Sequence, residues 1–283
     1  MREDKKNKNS NAVDTLMSIK GNAVYKPHNP KRDRFMPFCA KTSVCESLNA
    51  NTIIISDSPI AIASQYPFPH QVEAQVRLLL ENRTPALVIL ASSSDIQNHQ
   101  LPVYFSGSAS YGELQTQSKF VDYIELSENT EVKVFRLTII YGDDSVEIPV
   151  LHVHNWLDHQ AISPDTTSKL IQLIESTVNK STATRTSETE TDSQIAGKNL
   201  PVIHCKAGVG RTGQTIAAMA MKKHPDLSLE TIVRDIRASR NDHMIQTNKQ
   251  MRTLIKISLN TSAVKELPVT KPTFSWRKVF GMK

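Results

Sequence analysis

Cysteine is scarce in this chain, with three in 283 residues, and one of the three lies in a glycine-rich loop. That count excludes the disulfide framework of a small secreted domain, since Cys39 and Cys45 could pair only with each other. The working compartment therefore reads as reducing. Long apolar runs are missing too, none approaching the roughly 20 residues that span a bilayer. Met1 to Ser10 is rich in Lys and Asn and no apolar stretch follows, which argues against a cleaved secretory signal. Zinc-finger spacings and RNA-binding aromatic motifs are absent. Nucleic acid is thus the weakest of the partners that a net charge of +6 and a pI near 9.1 allow, behind anionic membranes and acidic phosphopeptides. The G-x4-G-K-[ST] order of a Walker A loop does not occur. His152 and His154 lie two apart on a predicted strand. No Cys or carboxylate at metal spacing joins them, so they read as core or loop histidines.

What the chain does have is the stretch Leu200 to Gly213, containing His204-Cys205-x5-Arg211-Thr212 with glycines at 208 and 210. It reads as a short buried strand (Val202, Ile203), a tight loop, and a helix opening at Thr212 and running through Ile216 and Met219. Cys205 stands where strand gives way to helix. The backbone N–H groups of Lys206, Ala207, Gly208, Val209, Gly210 and Arg211 can therefore turn inward as an anion cradle, with the helix N-terminus adding positive charge. Arg211 closes the cradle with a planar fork that matches two phosphate oxygens. Such surroundings lower a thiol pKa from about 8.5 to roughly 3.5–7.5, so Cys205 is expected to be ionised. Five residue types at fixed offsets make an ordinary glycine-rich turn a poor explanation.

Length and composition (39% hydrophobic, 22% charged) fit one domain of about 220–250 residues with tails. Residues 1–30 read as a flexible arm. A strand is predicted over Asn51 to Ser56, a helix through Val72, Val76, Leu79 and Leu80 that stops before Pro85, and a buried strand over Ala86 to Leu90. Val132 to Ile139 and Val146 to Val150 flank a Gly142 turn as an antiparallel hairpin. Ser163-Pro-Asp caps a helix whose buried face is Leu170, Ile174 and Val178. Residues 180–198, rich in Ser, Thr, Asp and Glu, read as a surface loop. Ser228 caps a helix with Ile232 and Ile236 inward, and Met251, Ile255 and Leu259 form the last core helix. The tail, 261–283, mixes Phe274, Trp276 and Phe280 with Arg277, Lys278 and Lys283. A basic aromatic tail can sit on an anionic membrane surface; docking on the domain or disorder is the plainer alternative.

The signature stretch resembles that of protein tyrosine phosphatases. From about Arg34 to Ile257 the chain is similar, more specifically, to the phosphatase domain of bacterial type III secreted effectors. The likeness rests on Ser47-Leu-Asn-Ala-Asn51, Ala63-Ser-Gln-Tyr-Pro67, Glu81-Asn-Arg-Thr-Pro85, Leu90-Ala-Ser-Ser-Ser94, Val153 to Asp158, and Arg240-Asn241. It implies an α/β fold, a highly twisted central mixed sheet flanked by helices, with the signature loop between a central strand and a helix. The phosphatase domain would span 31–260.

By the same resemblance Cys205 is the nucleophile, Asp158 the general acid on a mobile loop hinged at Trp156, and Arg211 the phosphate fork. His204 shapes the loop, Thr212 stabilises the leaving thiolate, Gln246 places water and Gln250 supports the phosphate. Phe35 packs on the substrate ring, with Arg34 at the rim. Three departures stand out: Leu157 replaces the acid loop's proline, Pro37 an aspartate, and Asp95 a glutamate. Asp95, one methylene shorter, is expected to hold Arg211 loosely or through water. The implied reaction is two-step hydrolysis of phosphotyrosine through a cysteinyl-phosphate, with no metal or other cofactor. The implied partners are tyrosine-phosphorylated host proteins. The implied setting is a monomer secreted by a type III system into the host cytoplasm. A dual-specificity or inositol-phosphate phosphatase and a phosphotyrosine-binding pseudophosphatase are the alternatives; the Phe35 loop argues against the former, and the presence of Cys205, Arg211 and Asp158 against the latter.

Overall fold

The short apolar runs become the innermost strands of the sheet. β3 (Leu87–Ile89) and β8 (Val202–His204) are buried at every position, as strands covered on both faces must be. In the computed structural model, which describes residues 11–36, 40–186 and 199–261, β8 runs parallel to β3 on one side and to β2 (Ser58–Ser64) on the other, with Ile203 opposite both Val88 and Ala63. β2 makes a hairpin with β1 (Ala50–Ile55) through Ser56 and Asp57, both at positive φ. Beyond β3 lie β7 (Asp144–Val153), parallel to it, and then the antiparallel run β6 (Thr130–Tyr141), β5 (Leu114–Ser127) and β4 (Gly107–Tyr111). The eight strands form one mixed sheet in the order β1-β2-β8-β3-β7-β6-β5-β4.

Alternation along the strands builds two cores. Ile203, Val88, Leu151 and Val153 face one side of the sheet; Val202, Leu87, Ile89 and Val150 face the other. The first side is covered by α1 (residues 11–18), α4 (Pro164–Thr186), α5 (Gly210–Lys223), α6 (Leu229–Ser239) and α7 (Asn248–Thr261). The second is covered by α2 (Val72–Glu81) and flanked by α3 (Ser93–Asn98). Ser163 and Ser228 accept hydrogen bonds from the backbone N–H groups of Thr166 and Thr231, so both caps form as predicted.

Several expectations are corrected. The arm predicted over residues 1–30 is folded where it is described: α1 buries Val13 against the first core, and Arg237 binds its end. Here a single apolar face, too short to give a periodic signal, is held by distant residues. Residues 180–186 continue α4 instead of opening a loop. The signature helix starts at Gly210 rather than Thr212. Leu259 is exposed on α7. β4 and β5 carry too many exposed polar residues to show a strand pattern. Residues 1–10, 187–198 and the C-terminal tail from 262 lie outside the described residues, as does position 37.

Arg237 is buried in α6, and its Nη1 donates to the carbonyls of Leu16, Met17 and Ile19 while Nε donates to that of Met244. It thereby satisfies carbonyls that the end of α1 leaves without helical partners. Arg237→Met should destabilise the fold by about 2–4 kcal/mol, measured by urea denaturation, and expose residues 11–20 to limited proteolysis before the rest of the chain.

Candidate active site

Parallel β2, β8 and β3 bring Cys205 to their shared C-terminal end, where open α/β sheets hold ligands. The loop that follows is fixed from outside by its carbonyls. Lys206 O accepts from Tyr66 N (3.1 Å), Gly208 O from Arg240 Nε (2.9 Å), and Val209 O from Ile245 N (3.2 Å). With these carbonyls turned out, the amides face in, and Gly208 N donates to Cys205 Sγ at 3.3 Å. Gly208 has φ +69°, and a Cβ there would stand 2.0 Å from Ser64 O, so no other residue fits. Buried Arg240 also donates from Nη1 to Asn51 Oδ1 (2.8 Å) and Ala63 O (3.1 Å), tying the loop to the sheet.

Burial alone would raise the Cys205 thiol pKa. The Arg211 guanidinium, the Thr212 hydroxyl and the amides of Thr212 and Val209 outweigh it and hold the pKa below the ordinary value. Thr212 Oγ1 is buried and makes no other hydrogen bond among the described residues. His204 is neutral, because burial pushes its pKa down to about 4. Its Nε2 meets the Tyr104 hydroxyl at 2.6 Å and its Nδ1 lies 3.3 Å from Cys205 O. Burial raises the Tyr104 pKa well above its ordinary value. Its hydroxyl therefore stays protonated and donates to Nε2, leaving Nδ1–H to hold the Cys205 carbonyl.

Arg211 is fully buried at the mouth of α5. Its Nη1 donates to Asp95 Oδ2 (2.6 Å) and Trp156 O (2.7 Å), and Nη2 to Asp158 Oδ1 (3.0 Å). Nε, also buried, has no partner among the described residues. The loose or water-mediated role expected of Asp95 is thus corrected to a direct, short ion pair. A capping box with Ser92 sets Asp95 on the first turn of α3 and makes up for its missing methylene. Burial would raise the Asp158 pKa, but Arg211 and Lys206, with its Nζ 3.0 Å from Asp158 Oδ2, hold it below the ordinary carboxylate value. Trp156 is buried and its indole N–H donates to Gln160 O at 3.0 Å, anchoring the loop that carries Asp158.

The remaining predicted residues divide. Phe35 is half-buried at the mouth, its ring 5.8 Å from Lys206 Nζ. Arg34 does not reach the rim: its guanidinium donates to Tyr66 O and Pro67 O and stacks 4.1 Å from the Phe68 ring. Gln246 Oε1 and Gln250 Nε2 both lie over Gly210, where a Cβ would meet them at 3.1 and 3.0 Å. Gln250 Oε1 accepts from the backbone N–H of Gln246 and Thr247 and so shapes that turn. Sequence reasoning passed over Tyr104, whose partner is 100 residues away, and His99, whose Nε2 lies 3.2 Å from Lys206 Nζ; neither carries a local motif. His152 bonds Ala91 O and His154 bonds Glu131, and no metal-binding cluster occurs among the described residues.

The profile of the protein-tyrosine phosphatase family matches residues 31–260. The chain belongs to this family. It is 39% identical over 234 residues to the tyrosine-protein phosphatase YopH of Yersinia enterocolitica, covering 80% of this chain and 49% of that protein. It is 36% identical over 202 residues to the secreted effector protein SptP of Salmonella paratyphi A, covering 71% of this chain and 36% of the relative. The chain thus spans half or less of the length of these relatives. Among solved structures, PTPN18 in complex with HER2 phosphopeptides superposes with a TM-score of 0.64 at 19% identity, covering 89% of this chain and 91% of that one.

Two outcomes follow for this phosphatase-family site. Gly208→Ala should cost about 2 kcal/mol or more in stability, read from thermal melting, and abolish the extra stabilisation that an oxyanion such as tungstate gives the wild type. Alkylation of Cys205 by iodoacetamide should have its midpoint below that of a free thiol, and Arg211→Met should move that midpoint to higher pH.

Proposed function

We propose that this chain hydrolyses phosphotyrosine in proteins by two in-line displacements at Cys205. One observation carries the reading. An acidified thiol lies under inward-facing amides beside a buried Arg211 whose Nε has no protein partner. In the first step the Cys205 thiolate attacks phosphorus, the bond to the aryl oxygen breaks, and Asp158 gives that oxygen its proton. In the second, water placed by Gln246, with Gln250 supporting the phosphate, attacks the cysteinyl-phosphate and passes a proton to Asp158. The phosphorus–sulfur bond breaks, with the Thr212 hydroxyl receiving the thiolate's charge. Because charge spreads over the equatorial oxygens, the work of the loop amides and Arg211 is positioning and charge stabilisation.

Arg211 and Lys206 hold Asp158 ionised, the wrong state for an acid. A phosphate dianion corrects this. It draws Arg211 to itself and puts negative charge beside the carboxyl, and both changes raise the Asp158 pKa toward the working range. Phe35 at the mouth favours an aromatic ester over phosphoserine. The setting we propose is that of a bacterial effector delivered by a type III apparatus and acting on host phosphoproteins, in keeping with the likeness to YopH and SptP. No helix among the described residues is long and apolar enough to cross a membrane.

Hydrolysis of a phosphotyrosyl peptide by the purified chain should vanish in Cys205→Ser. It should fall about a hundred- to ten-thousand-fold in Asp158→Asn, with binding retained. Unchanged turnover in Asp158→Asn, or inositol phosphates cleaved as fast as the peptide, would refute the assignment.

A further inference from the structure

Lys206 follows the nucleophile directly, and its backbone is pinned by Tyr66 N. The side chain rises to the mouth, only 17% exposed, where three walls meet around the ammonium. Asp158 Oδ2 lies at 3.0 Å, His99 Nε2 at the end of α3 at 3.2 Å, and the Phe35 ring centroid at 5.8 Å. An ammonium only donates, so His99 accepts and helps aim Lys206 at the carboxylate.

The acid loop needs such a contact. It is anchored before Asp158 by Trp156 and after it by Gln160, whose carbonyl accepts from Trp156 and Gln250. Between them Leu157 is 56% exposed and His159 takes a left-handed backbone, φ 58°. Among the described residues, every hydrogen bond or ion pair that leaves positions 157–159 for another part of the chain comes from Asp158, to Arg211 and Lys206. The His159 ring, 3.8 Å from Asp158, belongs to the same loop and moves with it. Leucine at 157 leaves φ free where a proline would fix it, so the closed loop loses more entropy. A bound phosphate takes over Arg211, which leaves Lys206 as the cation facing Asp158 from outside the loop.

We infer that Lys206 is a positioning residue that latches the acid loop over the cradle during the first chemical step, its ammonium donating to Asp158 Oδ2 while Oδ1, released by Arg211, carries the proton for the leaving group. This rests on the hydrolytic reading above, and it adds a cause for closure that Leu157 makes necessary. The latch works through Asp158, so its effect follows the need for a proton on the leaving group.

The test compares two esters. Lys206→Met should lower kcat about tenfold or more for a phosphotyrosyl peptide, equivalent to one decade of barrier. It should lower kcat by less than about threefold for a dinitrophenyl phosphate, whose phenolate leaves without protonation. Lys206→Arg should restore most of the loss. On an Asp158→Asn background, adding Lys206→Met should change peptide turnover by less than about twofold, because no acid proton is left to position. Equal losses on both esters, or a full further loss on that background, would show Lys206 to be a structural or phosphate-binding residue and overturn the latch. Failure of the wild-type chain to hydrolyse either ester would instead overturn the phosphatase reading.

Discussion

Burial of three guanidinium groups is the constraint on which the rest of this molecule depends. Arg211, Arg237 and Arg240 are the largest fully buried side chains among the described residues, and a cation removed from water is costly unless its donors are satisfied. Each is satisfied differently. Arg237 gathers carbonyls from α1 and from Met244, while Arg240 gathers those of Gly208 and Ala63 with the side-chain oxygen of Asn51. Arg211 has two carboxylates and the Trp156 carbonyl, and keeps Nε in reserve. The first two thus complete the scaffold and the third leaves it unfinished, at the one place where an anion would complete it.

The cradle follows from that arrangement. A loop of amides aimed inward is unfavourable for its own carbonyls unless something outside accepts the task of pairing them. Arg240, Tyr66 and Ile245 do so from the end of α6, the segment after β2 and the turn before α7. The short strand β8 contributes little area, but its parallel neighbours fix where the thiol emerges. His204, held neutral between Tyr104 and the Cys205 carbonyl, adds orientation without charge, leaving Arg211, Thr212 and the loop amides to set the sulfur's acidity.

Much of this was legible in the chain. Continuous apolar runs announced β3 and β8, Ser163 and Ser228 announced two helix starts, and the spacing of Cys205, Gly208 and Arg211 announced the cradle. What stayed hidden depends on partners far apart in sequence or on surfaces with no pattern. β5 alternates polar with weakly apolar residues and lies half in solvent, so its period is blurred. α1 joins the core through buried Val13, partly buried Leu16 and Met17, and a guanidinium more than 200 positions away. The resemblance put Arg34 at the rim, yet the carbonyls of Tyr66 and Pro67 and the Phe68 ring engage its guanidinium. Asp95 looked too short for Arg211 because side-chain length was weighed without the position of α3.

The contact between Gly208 and Ser64 has a thermodynamic consequence. Because the loop's carbonyls are committed to three separate elements, it cannot fray by itself; opening it means breaking the sheet end, α6 and the Ile245 turn together. Opening it therefore costs more than a local fluctuation of a single element. The segment that carries Asp158 is held by fewer contacts, those of the Trp156 indole and the Asp158 carboxylate. The floor of the site is thus tied to three elements and the Asp158 segment to few, and the Arg211 side chain touches both.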